Sequence, residues 1–456
     1  MKRVYVRTFG CQMNEYDSGK LKALLSEEGY VATDELAQAD LVVVNTCSIR
    51  EKPEQKLHSF LGEARMARRR RLEADPQDRM MLAIAGCVAQ QEGAALQRRY
   101  KDVDIVMGPD AVSRVGELVR RARSGPVLDT TFIDADDYVF SDQIDPGAQD
   151  RPAAFVTIQK GCDNKCTFCI VPTTRGTELS RPSALILDEV RRLAARGVRE
   201  ITLIGQNVNS YGLKVAGERT FAQLLYAVAA LPGVERIRYT TSHPRDIGPD
   251  VVQAYRDLPQ LASHLHLPVQ SGSDAVLRRM KRFYTRDRYL SLVAELREAR
   301  PDLALTTDFI VGFPGETDED FEGTMDLLAE VGFHNSFSFK YSPRPGTPAL
   351  RMLDRGEEVP EDVAQARLIR LQQRQRQLSL DANQALVGTV QQVLVEGASR
   401  HDEGVICGRT STFKMINFPG SPNLQGRTVT VRVTRAWTNT LRGEALAEER
   451  ASAAPA

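Results

Sequence analysis

Gly161-Cys162-Asp163-Asn164-Lys165-Cys166-Thr167-Phe168-Cys169 sets three thiols in a spacing of Cys-x3-Cys-x2-Cys. The stretch directly follows an apolar, strand-like run, Phe155–Lys160, so the thiols fall in a loop at a strand's C-terminal edge. In barrels of parallel strands that edge carries the chemistry. Three thiolates on a [4Fe–4S] cluster leave one iron without a protein ligand, and an open iron can bind a substrate. The competing reading is a zinc site completed by a distant fourth ligand. Zinc patterns usually add a second cysteine pair, and none follows here.

Working outward, five more strand candidates follow at Glu200–Gly205, Arg236–Thr240, His264–Leu267, Thr306–Val311 and Phe337–Tyr341. Helical patterns separate them at Leu185–Ala195, Phe221–Ala230, Arg288–Ala299 and Asp318–Val331. Six strand–helix units suit a partial barrel better than a closed eight-fold one. Upstream, Val4–Phe9, Leu41–Asn45, Leu82–Ala85 and Ile105–Met107 alternate with helical patterns such as Ser18–Glu28 and Gln90–Arg98. That rhythm predicts a parallel sheet with helices on both faces. The stretch 124–151, with Gly125-Pro126, Asp134–Asp137 and Asp145-Pro146-Gly147, breaks the rhythm and reads as a linker or chain crossing. After Pro360 comes a long polar helix, then five alternating segments between Gly388 and Ala447 that read as a small β-barrel of the kind that often holds nucleic acid. The expected fold class is therefore α/β with a small all-β barrel at the end. The expected boundaries are 1–124, a linker 125–150, 151–385, 386–449 and a tail 450–456.

Cys11, Cys47 and Cys87 lie far apart in the chain, yet each comes immediately after a predicted strand. The C-termini of parallel strands share one edge, so these three thiols can converge where ligands usually bind. A single strand-end cysteine is more simply a buried apolar residue, but three in succession are hard to explain by packing.

Cys162, Cys166 and Cys169, with Phe168 before the last, resemble the signature of radical S-adenosylmethionine enzymes. In that family the cofactor's amine and carboxylate chelate the open iron, and its reductive cleavage yields a 5′-deoxyadenosyl radical. With the strand-end triad included, nearly the whole chain resembles the MiaB family of methylthiotransferases. The resemblance is carried by Thr8-Phe9-Gly10-Cys11-Gln12-Met13-Asn14, Asn45-Thr46-Cys47-Ser48-Ile49-Arg50-Glu51, Pro172-Thr173-Thr174-Arg175-Gly176 and Gly205-Gln206-Asn207-Val208-Asn209-Ser210-Tyr211-Gly212. It implies a methylthiotransferase domain, a radical SAM barrel and a C-terminal TRAM domain, with two [4Fe–4S] clusters, S-adenosylmethionine, and tRNA (its anticodon stem-loop) as substrate. It also implies an electron donor such as a flavodoxin or ferredoxin, and a sulfur-supplying or cluster-assembly protein. Related branches modify other tRNA adenosines or a ribosomal-protein aspartate; a non-catalytic RNA-binding iron–sulfur protein is the reading from another class. Thr173 stands where the family usually has tyrosine, and Phe413-Lys414-Met415 replaces a more polar stretch.

By the same resemblance Phe168, Gln206, Asn207, Ser242, Gln270, Ser271 and Asp308 are candidates for holding S-adenosylmethionine, with His243 and Gly312-Phe313-Pro314-Gly315 beside them. Such residues also make caps and turns. His264 and His266 share a strand face and read as hydrogen-bonded core residues. Cys407 reads as structural; Trp437 could stack a base, but reads more simply as buried in the small barrel.

The 456 residues carry 60 basic and 60 acidic side chains. This balance excludes a uniformly basic nucleic-acid coat but says nothing of local patches. Arg65, Arg68, Arg69, Arg70 and Arg71 cluster, as do Arg367, Arg370, Arg374 and Arg376, and each run reads either as a phosphate track or as a solvated helix face. In the tail, Arg409, Lys414, Arg432 and Arg435 are the candidate RNA contacts. Apolar residues at 42% exclude a disordered chain, and seven cysteines are too few and too odd in number for a disulfide scaffold. Charges from Lys2 onward predict no signal peptide, and no apolar run is long enough to span a bilayer. A cytoplasmic protein with no membrane partner is expected.

Overall fold

The computed structural model describes residues 1–48, 51–400 and 402–446; the side chains of residues 51, 52 and 149 are outside the description. Ile49 and Arg50 of the quoted stretch after Cys47, and the tail 447–456, lie outside the described residues. The chain forms two compact units. The first comprises 1–148, 159–164 and 169–181, and the second 149–158, 165–168 and 182–456.

In the first unit β1 (Lys2–Phe9), β2 (Tyr30–Ala32), β3 (Leu41–Thr46), β4 (Met81–Gly86), β5 (Ile105–Met107) and β6 (Val127–Asp129) form one parallel sheet in the order β2-β1-β3-β4-β5-β6. Leu41-Val42-Val43-Val44 is buried throughout, because both faces are covered. Val43 joins the cluster of α1 (Gln12–Glu27) and α5 (Val115–Ala122), which includes Leu21, Leu25 and Leu118. Val42 and Val44 join the opposite cluster, with Leu57, Phe60 and Leu61 of α2 (Glu51–Ala74) and Leu96 of α4 (Ala94–Arg99). The helix expected over Gln90–Arg98 is instead two short ones, α3 (Cys87–Glu92) and α4, because the backbone turns at Gly93.

The linker reading of 124–151 is corrected: Val127 and Leu128 pair with Ile105 and Val106 as the sixth strand, and Ile144 and Ala148 are buried. The aspartates and Pro-Gly turns around them masked this short strand from periodicity. In the run at Arg65–Arg71, Arg65, Arg68 and Arg71 engage Asp102, Asp104, Asp78 and Asp40, Arg69 pairs with Glu73, and Arg70 is exposed, as on a solvated helix face.

The chain then enters the second unit at β7 (Ala153–Thr157). It supplies β8 (Gln159–Lys160), α6 (Val171–Arg175) and β9 (Leu179–Ser180) to the first, where β8 and β9 pair antiparallel. In the second unit β7, β10 (Glu200–Ile204) and β11 (Arg236–Tyr239) form one parallel set. A second set comprises β12 (His264–His266), β13 (Ala304–Val311) and β14 (Asn335–Lys340). A single bridge, Ile237 to Leu261, joins the two sets, giving six parallel strands in a partial barrel. Helices alternate with them: α7 (Ser183–Ala195), α8 (Phe221–Ala229), α9 (Pro249–Asp257), α10 (Asp274–Arg279), α11 (Arg286–Ala299) and α12 (Asp318–Val331).

After α13 (Leu350–Leu353) and α14 (Glu361–Gln384), the tail closes into a barrel of β15 (Val390–Ala398), β16 (Val405–Thr410), β17 (Met415–Pro419), β18 (Thr428–Ala436) and β19 (Thr440–Ala445). Alternate residues Val393, Val395, Val429, Val431 and Val433 fill it, with Ile416 and Phe418. Trp437 is not in this core. It sits on the β18–β19 turn with 47% of its surface exposed, a correction that follows from its place at a hairpin tip.

Candidate functional site

In the first unit Cys11 caps the N-terminus of α1 just after β1, Cys47 follows β3, and Cys87 opens α3 at the end of β4. β1, β3 and β4 are direct neighbours, so the three cysteines occupy one sheet edge. Below them lies a buried polar lattice. Asn14 donates to Asn45 Oδ1 at 2.8 Å, Asn45 donates to the Asn14 carbonyl at 2.9 Å and to Ser18 Oγ at 3.0 Å, and the Cys11 thiol donates to Asn14 Oδ1 at 3.1 Å. Gly86, in the left-handed region at φ +92°, leaves no room for a side chain, since a Cβ there would strike Asn45 and the Thr46 carbonyl.

A hydrogen bond with Cys47 draws the Cys11 thiol down to about 6 against the effect of burial, and Arg175 acts in the same direction. Burial pushes the Cys87 thiol up, while Arg175 beside it opposes the rise. Arg175, on α6, is itself buried and donates from Nη2 to Asp17 Oδ2 at 2.7 Å. Close by, Lys160 donates to both carboxylate oxygens of Asp110 at 2.7 Å and lies 3.7 Å from the Tyr138 ring.

The other cysteine motif is divided: Cys162 and Cys169 belong to the first unit, and Cys166 to the second. Gly161, at φ +71°, precedes Cys162, and a Cβ there would overlap the Thr177 carbonyl. The Cys162 N–H donates to the Gly176 carbonyl at 3.2 Å. In the second unit Thr167 donates its N–H to the Met280 carbonyl at 3.1 Å and its hydroxyl to the Arg279 carbonyl at 2.9 Å. Phe168 packs on the apolar cluster of Val276, Met280, Phe313 and Ala349. Arg282, fully enclosed, donates to Cys166 Sγ at 3.4 Å and to the Pro268 carbonyl at 3.0 Å. Lys281 and Phe283 on either side take positive φ, the backbone strain that turns Arg282 inward.

At the C-terminal ends of the second unit's strands, Asn207 Oδ1, Gln206 Oε1, Ser242 Oγ, His243 Nε2 and Gln270 Oε1 are buried without a hydrogen-bond partner among the described residues. Thr241 and Gln270 hold φ of +72° and +74°, strain of the kind found where a ligand is gripped. Asn207 Nδ2 donates to Asp246 at 2.7 Å, and Asp308 Oδ1 lies 3.5 Å from His266 Nε2. Ser271 is engaged with Thr324 at 3.3 Å. Buried donors and acceptors left over at one strand edge match the amine, carboxylate and ribose of a polar cofactor. Gly312, in the turn read as a cofactor approach, donates to Glu316 at 2.7 Å, and Glu316 is paired with Arg367 at 2.8 Å. His264 and His266 both hydrogen-bond Thr306, as core histidines do.

Among the described residues no three histidine, cysteine or acidic side chains converge tightly enough to hold a metal ion as they stand, and no cysteine is in a disulfide. Reduced cysteines, strand-end placement and buried arginine donors are nevertheless the donor chemistry that iron–sulfur groups take.

Of the candidate RNA contacts, Arg432 and Arg435 are exposed on β18. Arg409 instead pairs with Glu396 at 2.8 Å, and its guanidinium lies 4.5 Å from the Phe413 ring. Lys414 reaches the His334 carbonyl at 3.4 Å, and burial lowers it to about 8. The Arg367–Arg376 run is no phosphate track at its start: Arg367 is buried against Glu316 and Asp318, and Arg370 pairs with Glu322, all acids from around α12. Cys407 is partly exposed, 3.9 Å from the Ala398 carbonyl.

Asp17, Arg175, Arg282 and Asp246 were missed as site residues. Arg175 stands inside the quoted stretch Pro172–Gly176, so a lone cation within a motif was the available signal.

Residues 156–328 match the Radical SAM superfamily, 3–108 match Uncharacterized protein family UPF0004, and 384–446 match the TRAM domain. The chain is 46% identical over 453 residues to "tRNA-2-methylthio-N(6)-dimethylallyladenosine synthase" of Serratia proteamaculans (strain 568), covering 98% of this chain and 93% of that one. The synthase of the same name from Yersinia pestis (strain Pestoides F) matches with the same identity and coverage. Among solved structures, the radical S-adenosylmethionine methyltransferase TsrM from Kitasatospora setae, with cobalamin and a [4Fe-4S] cluster bound, superposes with a TM-score of 0.55. Its identity is 16%, over 76% of this chain and 74% of TsrM. The cobalamin-dependent S-adenosylmethionine radical enzyme OxsB gives 0.53 at 12% identity, over 78% of this chain and 56% of OxsB. At those identities the likeness is one of fold.

Proposed function

The chain belongs to the tRNA-2-methylthio-N(6)-dimethylallyladenosine synthase family, and from that premise we propose that it adds a methylthio group at C2 of N6-isopentenyladenosine beside the anticodon of tRNA. The observation that carries this reading is the near full-length 46% identity to curated synthases. Supporting it, Cys11, Cys47 and Cys87 stand at the ends of three adjacent parallel strands, and Cys162, Cys166 and Cys169 lie in the radical SAM segment.

C2 carries an unreactive C–H bond that no acid–base side chain opens at neutral pH. A [4Fe–4S] cluster with S-adenosylmethionine supplies a carbon radical able to remove that hydrogen, and a second cluster with a second S-adenosylmethionine supplies the methylated sulfur. Cys162, Cys166 and Cys169 would hold the first, and Cys11, Cys47 and Cys87 the second. Arg282 donates to Cys166 Sγ, and Arg175 places a buried cation beside the strand-end set. Gln206, Asn207, Ser242, Gln270 and Asp308 would bind the polar groups of S-adenosylmethionine, with Phe168, anchored on Val276, Met280 and Phe313, beside them. A base in a single-stranded loop is splayed into a pocket at modest cost. The terminal barrel, with Arg432 and Arg435 exposed, would grip the tRNA backbone. The chemistry requires an external electron donor such as a flavodoxin or ferredoxin and a source of sulfur, both in the cytoplasm; no helix among the described residues is long and apolar enough to cross a membrane.

The test is anaerobic incubation of the reconstituted chain with reductant, S-adenosylmethionine and isopentenylated tRNA, read by nucleoside mass spectrometry. Methylthio product is expected. Cofactor cleavage without that product points to another adenosine or a ribosomal-protein aspartate, and absence of cleavage to a non-catalytic RNA-binding protein.

A further inference from the structure

We propose that Arg175 is a positioning residue that tunes the sulfur-bearing group on Cys11, Cys47 and Cys87 and links it to Cys162; this deepens, and rests on, the function proposed above. Its side chain is 6% exposed and has neighbours in two directions. One is Asp17 Oδ2 at 2.7 Å, on α1 and six residues after Cys11. The other is α3, which opens at Cys87 and packs against α6, so that Cys87 and Cys11 both lie inside the guanidinium's electrostatic reach. The next residue, Gly176, accepts the Cys162 N–H at 3.2 Å. One short helix, α6, therefore carries a backbone anchor for one cysteine motif and a buried cation for the other.

A guanidinium suits this place better than an ammonium, because its rigid fork serves a carboxylate and a sulfur together. Hydrogen bonds to ligand sulfurs and local charge set the reduction potential of an iron–sulfur group. A cation favours the more negative reduced form and also favours an added anionic sulfur at an open iron. Asp17 opposes both effects while holding the cation in place. The two residues thus push the potential in opposite directions, and a merely structural role would not separate them by sign.

The experiment uses the full chain with Cys162, Cys166 and Cys169 all replaced by alanine, so that only the strand-end triad can load. The midpoint potential is read anaerobically by electron paramagnetic resonance. Arg175→Gln is expected to lower the one-electron reduction equilibrium at least tenfold, about 59 mV. Asp17→Asn is expected to raise the potential, and Arg175→Lys to fall between Arg175→Gln and the parent. A shift of the same sign in Arg175→Gln and Asp17→Asn, or less than a threefold change in Arg175→Gln, overturns the inference. Should Arg175→Gln fail to retain its cluster, Asp17→Asn decides alone: a potential that falls or stays put overturns it. A parent chain with no reducible [4Fe–4S] signal contradicts the proposed function instead.

Discussion

Arg282 Nη1 lies 3.4 Å from Cys166 Sγ, although 116 residues separate the two in the chain. The guanidinium is enclosed, and its other nitrogens also donate, Nε to Tyr284 Oη at 3.1 Å and Nη2 to the Pro268 carbonyl at 3.0 Å. A charge-assisted donor this close to a sulfur would ease electron uptake by a cluster held there.

Arg282→Gln keeps a donor but removes the charge. We expect 5′-deoxyadenosine formation at limiting reductant to slow about tenfold, with less effect for Arg282→Lys. High-performance chromatography of the nucleoside product checks this, and an unchanged rate at every reductant level would count against the role.

Arg367 supports the Gly312 turn through Glu316, whose carboxylate accepts from both. Replacing Arg367 with leucine leaves a buried carboxylate without its cation. The expected cost is about 3 kcal/mol, read as a lower urea midpoint, together with a raised KM for S-adenosylmethionine.

His334 is held neutral: burial, with Lys414 and Arg297 adding to it, lowers it to about 4. The folded protein then binds fewer protons than the unfolded chain between about pH 4 and the ordinary histidine value near 6.5. Its contribution is therefore complete above that upper value and is lost as pH falls toward 4. By pH 5 the loss reaches about 2 kcal/mol. His243 and His264, also lowered by burial, act in the same direction. Urea titrations at pH 7.5 and pH 5 should show a smaller drop for His334→Asn than for the parent.

The tail arginines divide by environment. Arg432→Ala and Arg435→Ala should each weaken tRNA binding and reduce the slope of log K against log salt by about 1. Arg409→Ala, which breaks the Glu396 pair and the Phe413 contact, should lower stability more than it changes that slope. Filter binding across a salt series separates the two outcomes.

Where local pattern sets structure, it was readable in advance. The Val42–Val44 run and its counterparts announced a sheet buried on both faces, and a cysteine after each strand announced a shared edge. The six strand–helix units and the alternating valines of the last barrel were equally legible. What stayed hidden depends on partners distant in sequence. Arg175 meets Asp17, Arg282 meets Cys166, and the arginines of α2 meet Asp102 and Asp104, none of which periodicity can pair. The β6 strand was lost because only Val127 and Leu128 carry its apolar signal amid turn-forming neighbours.

The central claim, two cysteine triads with separate duties in one reaction, is tested most directly by the products of the reconstituted Cys87→Ala chain. Incubated anaerobically with reductant, S-adenosylmethionine and isopentenylated tRNA, it should still form 5′-deoxyadenosine while making no methylthio nucleoside. Methylthio product at the parental yield would contradict the account.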